Sequence, residues 1–345
     1  MRVHILFEFK DGSWGGGNQF LKSLKKYLQS ADVYEPAPAK ADVILFNSHQ
    51  STAEVARFKL KCPGKLFVHR IDGPMRLYNK MSDKRDNIVF AANKYLADAT
   101  IFQSDWSRQQ NHLLGLPKRR FETVIVNAPE LTVFNRKGKI PFSTQRRVRL
   151  IATSWSPNWN KGFRVYQWLD ENLDFSKYEM LFVGRTPVEF KNIKHIPLLN
   201  SEQLAGELKK SDIFITASQK DPCSNSLIEA LHCGLPAVGL RDGGHPEIIS
   251  DCGETFIEAD EIPELLEKIA KNYAEYQTSI CYPSISEVAK QYCDFVSQVY
   301  QNIQNKKSKV KSFGWISYAR IMATICRWKL SEHVAGVISN IRKSR

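Results

Sequence analysis

Polar and acidic residues cluster between positions 221 and 229, where a buried strand is predicted to give way to a helix. Apolar and β-branched residues dominate Asp212–Ser218, as in a buried strand, and the helix is predicted to start near Ser224. Such a junction presents free backbone N–H groups and the positive end of the helix dipole, which favour a phosphate. Asp221 lies in the loop, and Glu229 lies inside the helix, where its carboxylate could accept hydrogen bonds from a sugar diol.

A glycine-containing turn follows this helix. Gly234 is placed to end the helix, Pro236 to open the next strand, and Asp242–Pro246 to form a tight turn into another helix. Taken alone, two acids at this spacing are more typical of a solvated surface, and a Gly-Gly turn is common. The choice between the two interpretations therefore depends on the rest of the chain.

Short apolar runs alternate with helical patterns along the chain, which predicts an α/β fold. The predicted strands are Val3–Phe9, Asp42–Asn47, Lys65–His69, Ala99–Gln103, Thr123–Val126, Val148–Thr153, Met180–Val183, Ile213–Thr216 and Ala237–Leu240. The predicted helices include Asn18–Gln29, Ser201–Lys210, Ser226–Cys233, Glu261–Tyr276 and Ser284–Gln304. This alternation favours parallel sheets covered on both faces, with ligands bound at the carboxyl ends of the strands.

The pattern divides into two blocks, which predicts two Rossmann-like doubly wound domains facing across a cleft. The first is expected over residues 1–140 and the second over 141–283, with the polar stretch Asn135–Arg149 as the linker. A helix over 284–305 is expected to pack back on the first domain. Residues 306–345 form a separate basic tail.

The tail differs in composition from the rest of the chain. Residues 306–345 hold ten Lys and Arg against one acid, and so carry most of the net charge of +13. Polar residues recur there at helical spacing, with Trp315, Tyr318, Met322 and Cys326 on the opposite side. Two interpretations stay open: a helix packed on the protein, or an amphipathic helix on an anionic membrane surface. No recognised binding motif accompanies the charge, so nucleic acid is not expected as a partner.

The remaining composition bears on location. No apolar run of about 18 residues is present to span a membrane, and Met1–Phe9 is more typical of a first buried strand than of a signal peptide. The seven cysteines lack paired spacing, which is typical of free thiols in a reducing compartment. We expect a cytoplasmic protein, peripheral at the inner face of the membrane if the tail binds lipid.

The segment from Asp221 onwards resembles the signature of retaining, nucleotide-sugar-dependent glycosyltransferases with the GT-B fold, in particular family four (glycosyl transferases group 1). In that family two acids lie eight positions apart, followed by Ala-x-x-x-Gly-x-Pro-Val and by Gly-Gly-x-x-Glu-Ile. This chain has Asp221 and Glu229, then Ala230–Val238, then Gly243–Ile248. Other landmarks appear in the family's order: Gly15–Gly17, Asn127–Pro129, Phe134, Lys161-Gly162 and Val183-Gly184. The resemblance covers roughly residues 1–304.

The resemblance implies roles for the second-domain residues. Glu229 would hold the ribose hydroxyls of the nucleotide, and Asp221 would lie beside the transferred sugar. Ser224, Asn225 and Ser226, at the start of the helix, would meet the sugar and the diphosphate. Lys161 would neutralise the leaving diphosphate.

The resemblance also implies roles in the first domain. Gly16 and Gly17 would let the backbone approach the diphosphate closely, since glycine has no side chain. His69 corresponds in position to a histidine near the sugar. Acceptor contacts would come from first-domain loops, where Arg70–Arg85 is basic.

Three departures from the family pattern change the expected site. Asp221 replaces Glu, and Cys223-Ser224 replaces Phe-Gly, which together predict an altered sugar pocket. The family's phosphate-binding Arg is missing before Lys161. Neutralisation of the diphosphate would then rest on Lys161, on helix N-termini, and on Arg70 or Arg185.

The implied function is that of a retaining hexosyltransferase of class EC 2.4, acting on a nucleotide-diphosphate sugar. The acceptor would be a glycan or a lipid-linked molecule, in cell-surface polysaccharide synthesis. No Asp-x-Asp motif is present, so no metal cofactor is expected. Two alternatives stay open: a nucleotide-sugar 2-epimerase of the same fold, and an inactive nucleotide-sugar-binding scaffold.

Overall fold

The computed structural model describes residues 1–12, 16–79 and 81–343, with side chains as far as Val334. The described part of the chain forms two parallel sheets, of five and six strands, with helices packed on them. The predicted α/β architecture with two doubly wound units is thus confirmed. Gly15, part of the predicted glycine run, lies outside the described residues.

The first sheet has the strand order β1-β2-β3-β4-β5, all parallel. Its elements are β1 (Val3–Leu6), α1 (Gly16–Ser30), β2 (Val43–Asn47), α2 (Thr52–Lys61), β3 (Leu66–Ile71), α3 (Met75–Tyr78), α4 (Arg85–Tyr95), β4 (Ala99–Phe102), α5 (Asp105–Leu113) and β5 (Glu122–Val124). Successive side chains of a strand point to opposite faces, so each strand feeds two cores. Val43 and Leu45 pack with α1, whereas Ile44 and Phe46 pack with α2 and α4.

The second sheet has the order β11-β10-β9-β6-β7-β8. Its elements are β6 (Val148–Ser154), α6 (Phe163–Asn172), β7 (Tyr178–Gly184), β8 (Lys194–Ile196), α7 (Ser201–Lys210), β9 (Ile213–Thr216), α8 (Asn225–His232), β10 (Ala237–Leu240), α9 (His245–Ile249), β11 (Gly253–Phe256), α10 (Ile262–Lys271) and α11 (Tyr273–Thr278). The strand order reverses between β6 and β9, which pair through Leu150 and Ile213. Such a switch point leaves a crevice at the carboxyl ends of the two strands, where doubly wound sheets bind ligands.

Two helices follow the second sheet and return to the first. Helix α12 (Ile285–Gln304) starts with a capping box between Ser284 and Glu287, and its apolar face packs on α1. Helix α13 (Trp315–Lys343) packs across α2 and α4, burying Ile321 and Ile325 completely or nearly so. Within the described residues, no helix has the length and apolar character needed to cross a membrane.

The structure corrects three details of the predicted elements. Strands β8 and β11 were not predicted, because each is short and carries few apolar residues. The helix expected over Glu261–Tyr276 is interrupted at Asn272, between α10 and α11. In the tail, Ile321 and Ile325 form the buried seam. Of the apolar side expected there, Tyr318 and Met322 pack against this seam, whereas Trp315 and Cys326 are exposed.

Candidate active site

A cleft of about 820 Å³ lies between the two sheets and is lined by residues of both. Its walls come from loops that follow strands, as expected where the carboxyl ends of two parallel sheets face each other. The cleft brings together most of the predicted site residues, which are Gly16, Gly17, Lys161, Asp221, Ser224, Asn225, Ser226 and Glu229. Among the predicted site residues, His69 does not line it.

The N-termini of α1 and α8 meet in this cleft. Gly16 opens α1, and a Cβ atom at that position would collide with the side-chain amide of Asn225, which opens α8. A larger residue at position 16 would therefore have to displace the Asn225 side chain from its present position. Gly17 also lines the cleft and has open space around its Cα. Two helix N-termini in one crevice provide main-chain N–H donors and positive potential for an anion.

The N-terminus of α8 is not occupied by its own side chains. Ser224 is the N-cap residue, but its hydroxyl makes no capping hydrogen bond and lies 3.3 Å from the hydroxyl of Ser226. Ser224 is also buried. The first N–H groups of the helix are thus available to a ligand in the cleft.

Lys161 and Asp221 form an ion pair at the floor of the cleft. They follow the neighbouring strands β6 and β9, and Lys161 Nζ lies 3.0 Å from Asp221 Oδ2. Asn158 caps the short 3-10 turn Trp159–Lys161, and Gly162 ends the turn in a left-handed conformation, which fixes the direction of the lysine. Burial opposes the charge on both side chains. The attraction between them nevertheless raises the pKa of Lys161 and lowers that of Asp221, so both are ionised at neutral pH.

The Gly-Gly turn supports Asp221 from behind. The Gly244 N–H donates to the Asp221 carbonyl over 2.8 Å. Gly243 has a φ of +66°, and a Cβ atom there would run into the backbone of Asp221. Position 243 therefore favours glycine for two reasons: the backbone is left-handed there, and the Asp221 backbone leaves no room for a Cβ atom. This contact explains why the acid and the turn occur together in the sequence.

Glu229 lines the cleft without a charged partner among the described residues. Burial raises its pKa to about 8, since no charge from that part of the chain offsets the loss of water. A carboxylate in such a position gains most from a ligand that brings hydroxyl donors to it. The geometry is suited to a diol bound beside α8.

Arg70, one of the two arginines expected to help neutralise the diphosphate, is buried and does not line the cleft. Its guanidinium donates to Asn47 over 2.5 Å, to Asp72 over 2.9 Å and to Asn127 over 2.7 Å. Asn127 in turn donates to the Asn225 side chain over 3.0 Å. Arg70 thus acts through Asn127 to hold the N-terminus of α8 in place.

Among the described residues, two lysines line the cleft besides Lys161. Arg185, the second option, is exposed and lies outside the cleft lining. Lys10 and Lys220 line it instead, and Lys220 Nζ pairs with Asp242 over 3.1 Å. The sequence did not single out either residue, because each is one of many lysines without a distinguishing motif.

His69 is corrected by the structure. Its ring is fully buried, stacks on Phe46 at a centroid distance of 4.3 Å, and has Nε2 2.9 Å from the Ser48 carbonyl. Burial lowers the pKa of His69 to about 3, so it stays neutral. The first-domain histidine that lines the cleft is His49, in the loop after β2. A polar loop at the end of a predicted strand was the signal that could have identified it.

Glu247, in the segment that follows the Gly-Gly turn, caps a helix in the other domain. Its carboxylate accepts hydrogen bonds from the Asp105 N–H over 2.8 Å and the Trp106 N–H over 2.7 Å, at the start of α5. Ser104 accepts a third, from Ser107, over 3.0 Å. The two domains are thereby joined on the side of the Gly-Gly turn. Within the described residues, no three His, Cys, Asp or Glu side chains are grouped so as to hold a metal ion.

Comparisons with known proteins agree with this architecture. Residues 189–279 match the family model described as glycosyl transferases group 1. N-acetyl-alpha-D-glucosaminyl L-malate synthase of Bacillus anthracis is 29% identical over 118 residues, a match that covers 31% of this chain and 31% of that protein.

Solved structures extend the likeness to nearly the whole chain. Anabaena HepE, in complex with UDP and glucose, has a TM-score of 0.67 at 14% identity, covering 86% of this chain and 100% of that one. Sucrose-phosphate synthase from Thermosynechococcus elongatus has a TM-score of 0.61 at 14% identity, covering 96% and 100%. At this identity the likeness concerns the fold. Residues 189–279 are therefore similar to the glycosyl transferases group 1 family, and the whole chain has the GT-B fold.

Proposed function

We propose that the protein is a retaining hexosyltransferase that moves a sugar from a nucleotide-diphosphate donor to a glycan or lipid-linked acceptor of a cell-surface polysaccharide. One observation carries the proposal: the N-termini of α1 and α8 and the ammonium group of Lys161 converge on one cleft. These are the groups that a diphosphate requires, main-chain donors and positive charge in a partly dry site.

The donor is placed by three sets of groups. The diphosphate lies between Gly16-Gly17 and the start of α8 at Ser224–Ser226, within reach of Lys161. The ribose hydroxyls donate to Glu229, whose carboxyl has no charged partner among the described residues. The sugar lies beside Asp221, whose carboxylate also orients Lys161. The HepE structure with UDP and glucose supports a sugar nucleotide as the class of donor.

The reaction breaks the bond between the anomeric carbon and the diphosphate oxygen and forms one to an acceptor hydroxyl. The bonding electrons leave with the diphosphate, whose growing negative charge is stabilised by Lys161 and the two helix N-termini. The acceptor attacks from the face that the diphosphate leaves, and its proton passes to a diphosphate oxygen, so the configuration is retained. The proposal includes no metal cofactor, and turnover should persist in EDTA.

The outer face of α13 is the surface that we propose for an anionic membrane. Its inner face is taken up by α2 and α4, but Trp315, Ile316, Leu330 and Val334 are more than half exposed. Lys and Arg side chains flank them, in a segment with one acid in forty residues. Co-sedimentation with phosphatidylglycerol vesicles, but not with phosphatidylcholine vesicles, is the expected result. Equal recovery of the protein with both kinds of vesicle would contradict the proposed binding to an anionic membrane.

The enzymatic proposal is tested with a panel of UDP-, ADP- and GDP-sugars. We expect release of nucleoside diphosphate from one donor, by slow hydrolysis without acceptor, and loss of that release in Lys161→Ala. Transfer to an added acceptor with the donor's anomeric configuration, followed by NMR, would establish retention. Binding without release would indicate an inactive nucleotide-sugar-binding protein, and a donor isomer as product would indicate an epimerase.

A further inference from the structure

Helix α13 reaches the cleft. Trp328 lines the cleft together with His49, and the two rings meet edge to face at a centroid distance of 6.2 Å. Trp328 comes from the C-terminal segment, well outside the region that matches the family model. The tail therefore contributes a wall to the same cavity that holds Lys161 and Glu229.

The position of Trp328 is fixed by packing along the helix. Ile321 is fully buried between α13 and the first domain, and Ile325 is 7% exposed. The chain just before α13 is tied down as well, because the Lys311 N–H donates to Asp98 over 2.6 Å. Asp98 also pairs with the buried Lys59. Such a supported aromatic side chain is part of a built surface, not of a loose tail.

Two polar atoms in this wall lack a hydrogen-bond partner. Nδ1 of His49 and Nε1 of Trp328 are both shielded from solvent and unpaired. Buried polar atoms are nearly always paired in folded proteins, so two neighbouring exceptions in a cavity wall call for a functional explanation. These two atoms show that this part of the wall is not completed by the protein's own hydrogen bonds.

The wall is formed by the first domain and helix α13, not by the second domain. The residues placed around the donor come from the second domain and from the start of α1. The first domain presents His49, Gln50, Asp72, Met75 and Tyr78, with Trp328 beside them. An acceptor has to approach the anomeric carbon from this side, since the second domain is taken up by the nucleotide.

We propose that Trp328 of helix α13, together with His49, forms the acceptor subsite and stacks on a sugar ring of the acceptor. This inference rests on the proposed transfer reaction and names the chemistry of its second substrate. A sugar presents C–H groups on one face and hydroxyls around its rim, which match an aromatic ring with an adjacent imidazole. Trp328 is thereby a specificity-determining residue that the second-domain signature does not contain.

The test uses the full-length protein and a panel of p-nitrophenyl glycosides. Transfer is measured at saturating donor, and binding is measured separately by saturation-transfer NMR with UDP present. The variants are Trp328→Ala, Trp328→Phe and His49→Ala. Leu113→Ala is the control, because Leu113 is a large apolar side chain that is 78% exposed and lies outside the cleft.

We expect Trp328→Ala to raise the acceptor KM about tenfold, the usual scale for losing a stacked aromatic ring, with a much smaller change in donor hydrolysis. Trp328→Phe should recover most of the affinity, and Leu113→Ala should match the wild type. An unchanged acceptor KM in Trp328→Ala would overturn the proposal. So would an equal loss of transfer and donor hydrolysis in Trp328→Phe, which would indicate a purely structural role.

Measuring donor turnover and glycoside binding separately distinguishes a failure of this inference from a failure of the proposed function. If no donor is turned over, the reaction class fails, whereas glycoside binding that depends on Trp328 would still support the subsite. If donor is hydrolysed but no glycoside binds or accepts sugar, the acceptor subsite is wrong and the reaction class stands.

Discussion

The carboxylate of Glu247 in the second domain accepts the main-chain N–H of Trp106 in the first, over 2.7 Å. The other carboxylate oxygen accepts the N–H of Asp105 over 2.8 Å, so one side chain caps helix α5 across the domain boundary. A second hydrogen bond, between the side chains of Asn127 and Asn225, joins the same two domains. The arrangement of the domains around the cleft is thus held by side-chain hydrogen bonds from more than one segment.

Removal of the Glu247 contact should open the cleft. In Glu247→Ala the start of α5 loses its cross-domain cap, a change of about 1 kcal/mol for a typical helix cap. We expect a larger radius of gyration in small-angle scattering and a lower rate of donor hydrolysis. Glu287→Ala removes a capping carboxylate from α12 and is the matched control. Glu287→Ala should lower Tm without changing the radius of gyration. Equal radii of gyration in the two variants would contradict the role of Glu247 in holding the two domains together.

Lys161→Ala should slow the reaction far more than it weakens nucleotide binding. The lysine stabilises charge that appears as the bond breaks, and loss of one such donor typically costs about 10²–10³ in kcat. Lys220→Ala is the comparison, because Lys220 also lines the cleft and pairs with an aspartate but is 45% exposed. Its effect should be smaller, since water screens its charge. Similar losses in both variants would argue against a special role for Lys161.

Glu229 should make the stability of the free protein depend on pH. Its pKa is about 8 when folded against 4.5 ordinarily. Between these values the folded state holds a proton that the unfolded state has lost, so the free energy of unfolding falls as the pH rises from 4.5 to 8. Glu229→Gln lacks this proton. Its Tm should exceed that of the wild type by an amount that grows over this range, and a constant difference would contradict the assignment.

The same carboxyl should couple nucleotide binding to proton release. Ribose hydroxyls donate to the ionised form, so binding below pH 8 requires Glu229 to lose its proton. Affinity for the nucleoside diphosphate should therefore weaken as the pH falls from 8 to 6, and calorimetry in buffers of different ionisation enthalpy should detect released protons. Weaker binding without proton release in Glu229→Gln is expected. Proton release that persists in this variant would assign it to another group.

Helix α13 should be an integral part of the first domain. Ile321 is fully buried against that domain, and Ile→Ala at such a site typically costs about 2–5 kcal/mol. Ile316→Ala, on the same helix at a residue that is 73% exposed, should change the free energy of unfolding by less than about 0.5 kcal/mol. Denaturant titration measures both. Equal stabilities would mean that the helix is only loosely attached.

The sequence predicted most of the local elements and indicated which second-domain residues come together in the cleft. Alternation of apolar runs with helical periods identified both sheets, and the spacing of Asp221, Glu229 and the Gly-Gly turn located one wall of the cleft. These features are local, because each is set within one strand–loop–helix unit. The predicted bounds of α7, Ser201–Lys210, agree with the structure for the same reason: Asn200 and Gln203 form a capping box at its start.

Contacts between distant segments could not be read from the sequence. Whether a histidine near the end of a strand faces the cleft or the core depends on the segments that pack against that strand. This packing places His49 in the cleft wall and His69 in the core. Glu247 and Trp106 are 141 positions apart, and no pattern in either segment indicates the other. Burial of Ile321 and Ile325 was not predicted, because α13 carries apolar residues on more than one side. Which side is buried is decided by contact with α2 and α4.

The most direct test of the central claim is a crystal structure with a bound nucleoside diphosphate. Calorimetry with UDP, ADP and GDP would select the tightest ligand for co-crystallisation. We predict that its phosphates lie between Gly16-Gly17 and the start of α8, with Lys161 Nζ within about 3.2 Å of a phosphate oxygen. Phosphates bound elsewhere, or Lys161 still directed only at Asp221 with the ligand present, would contradict the account.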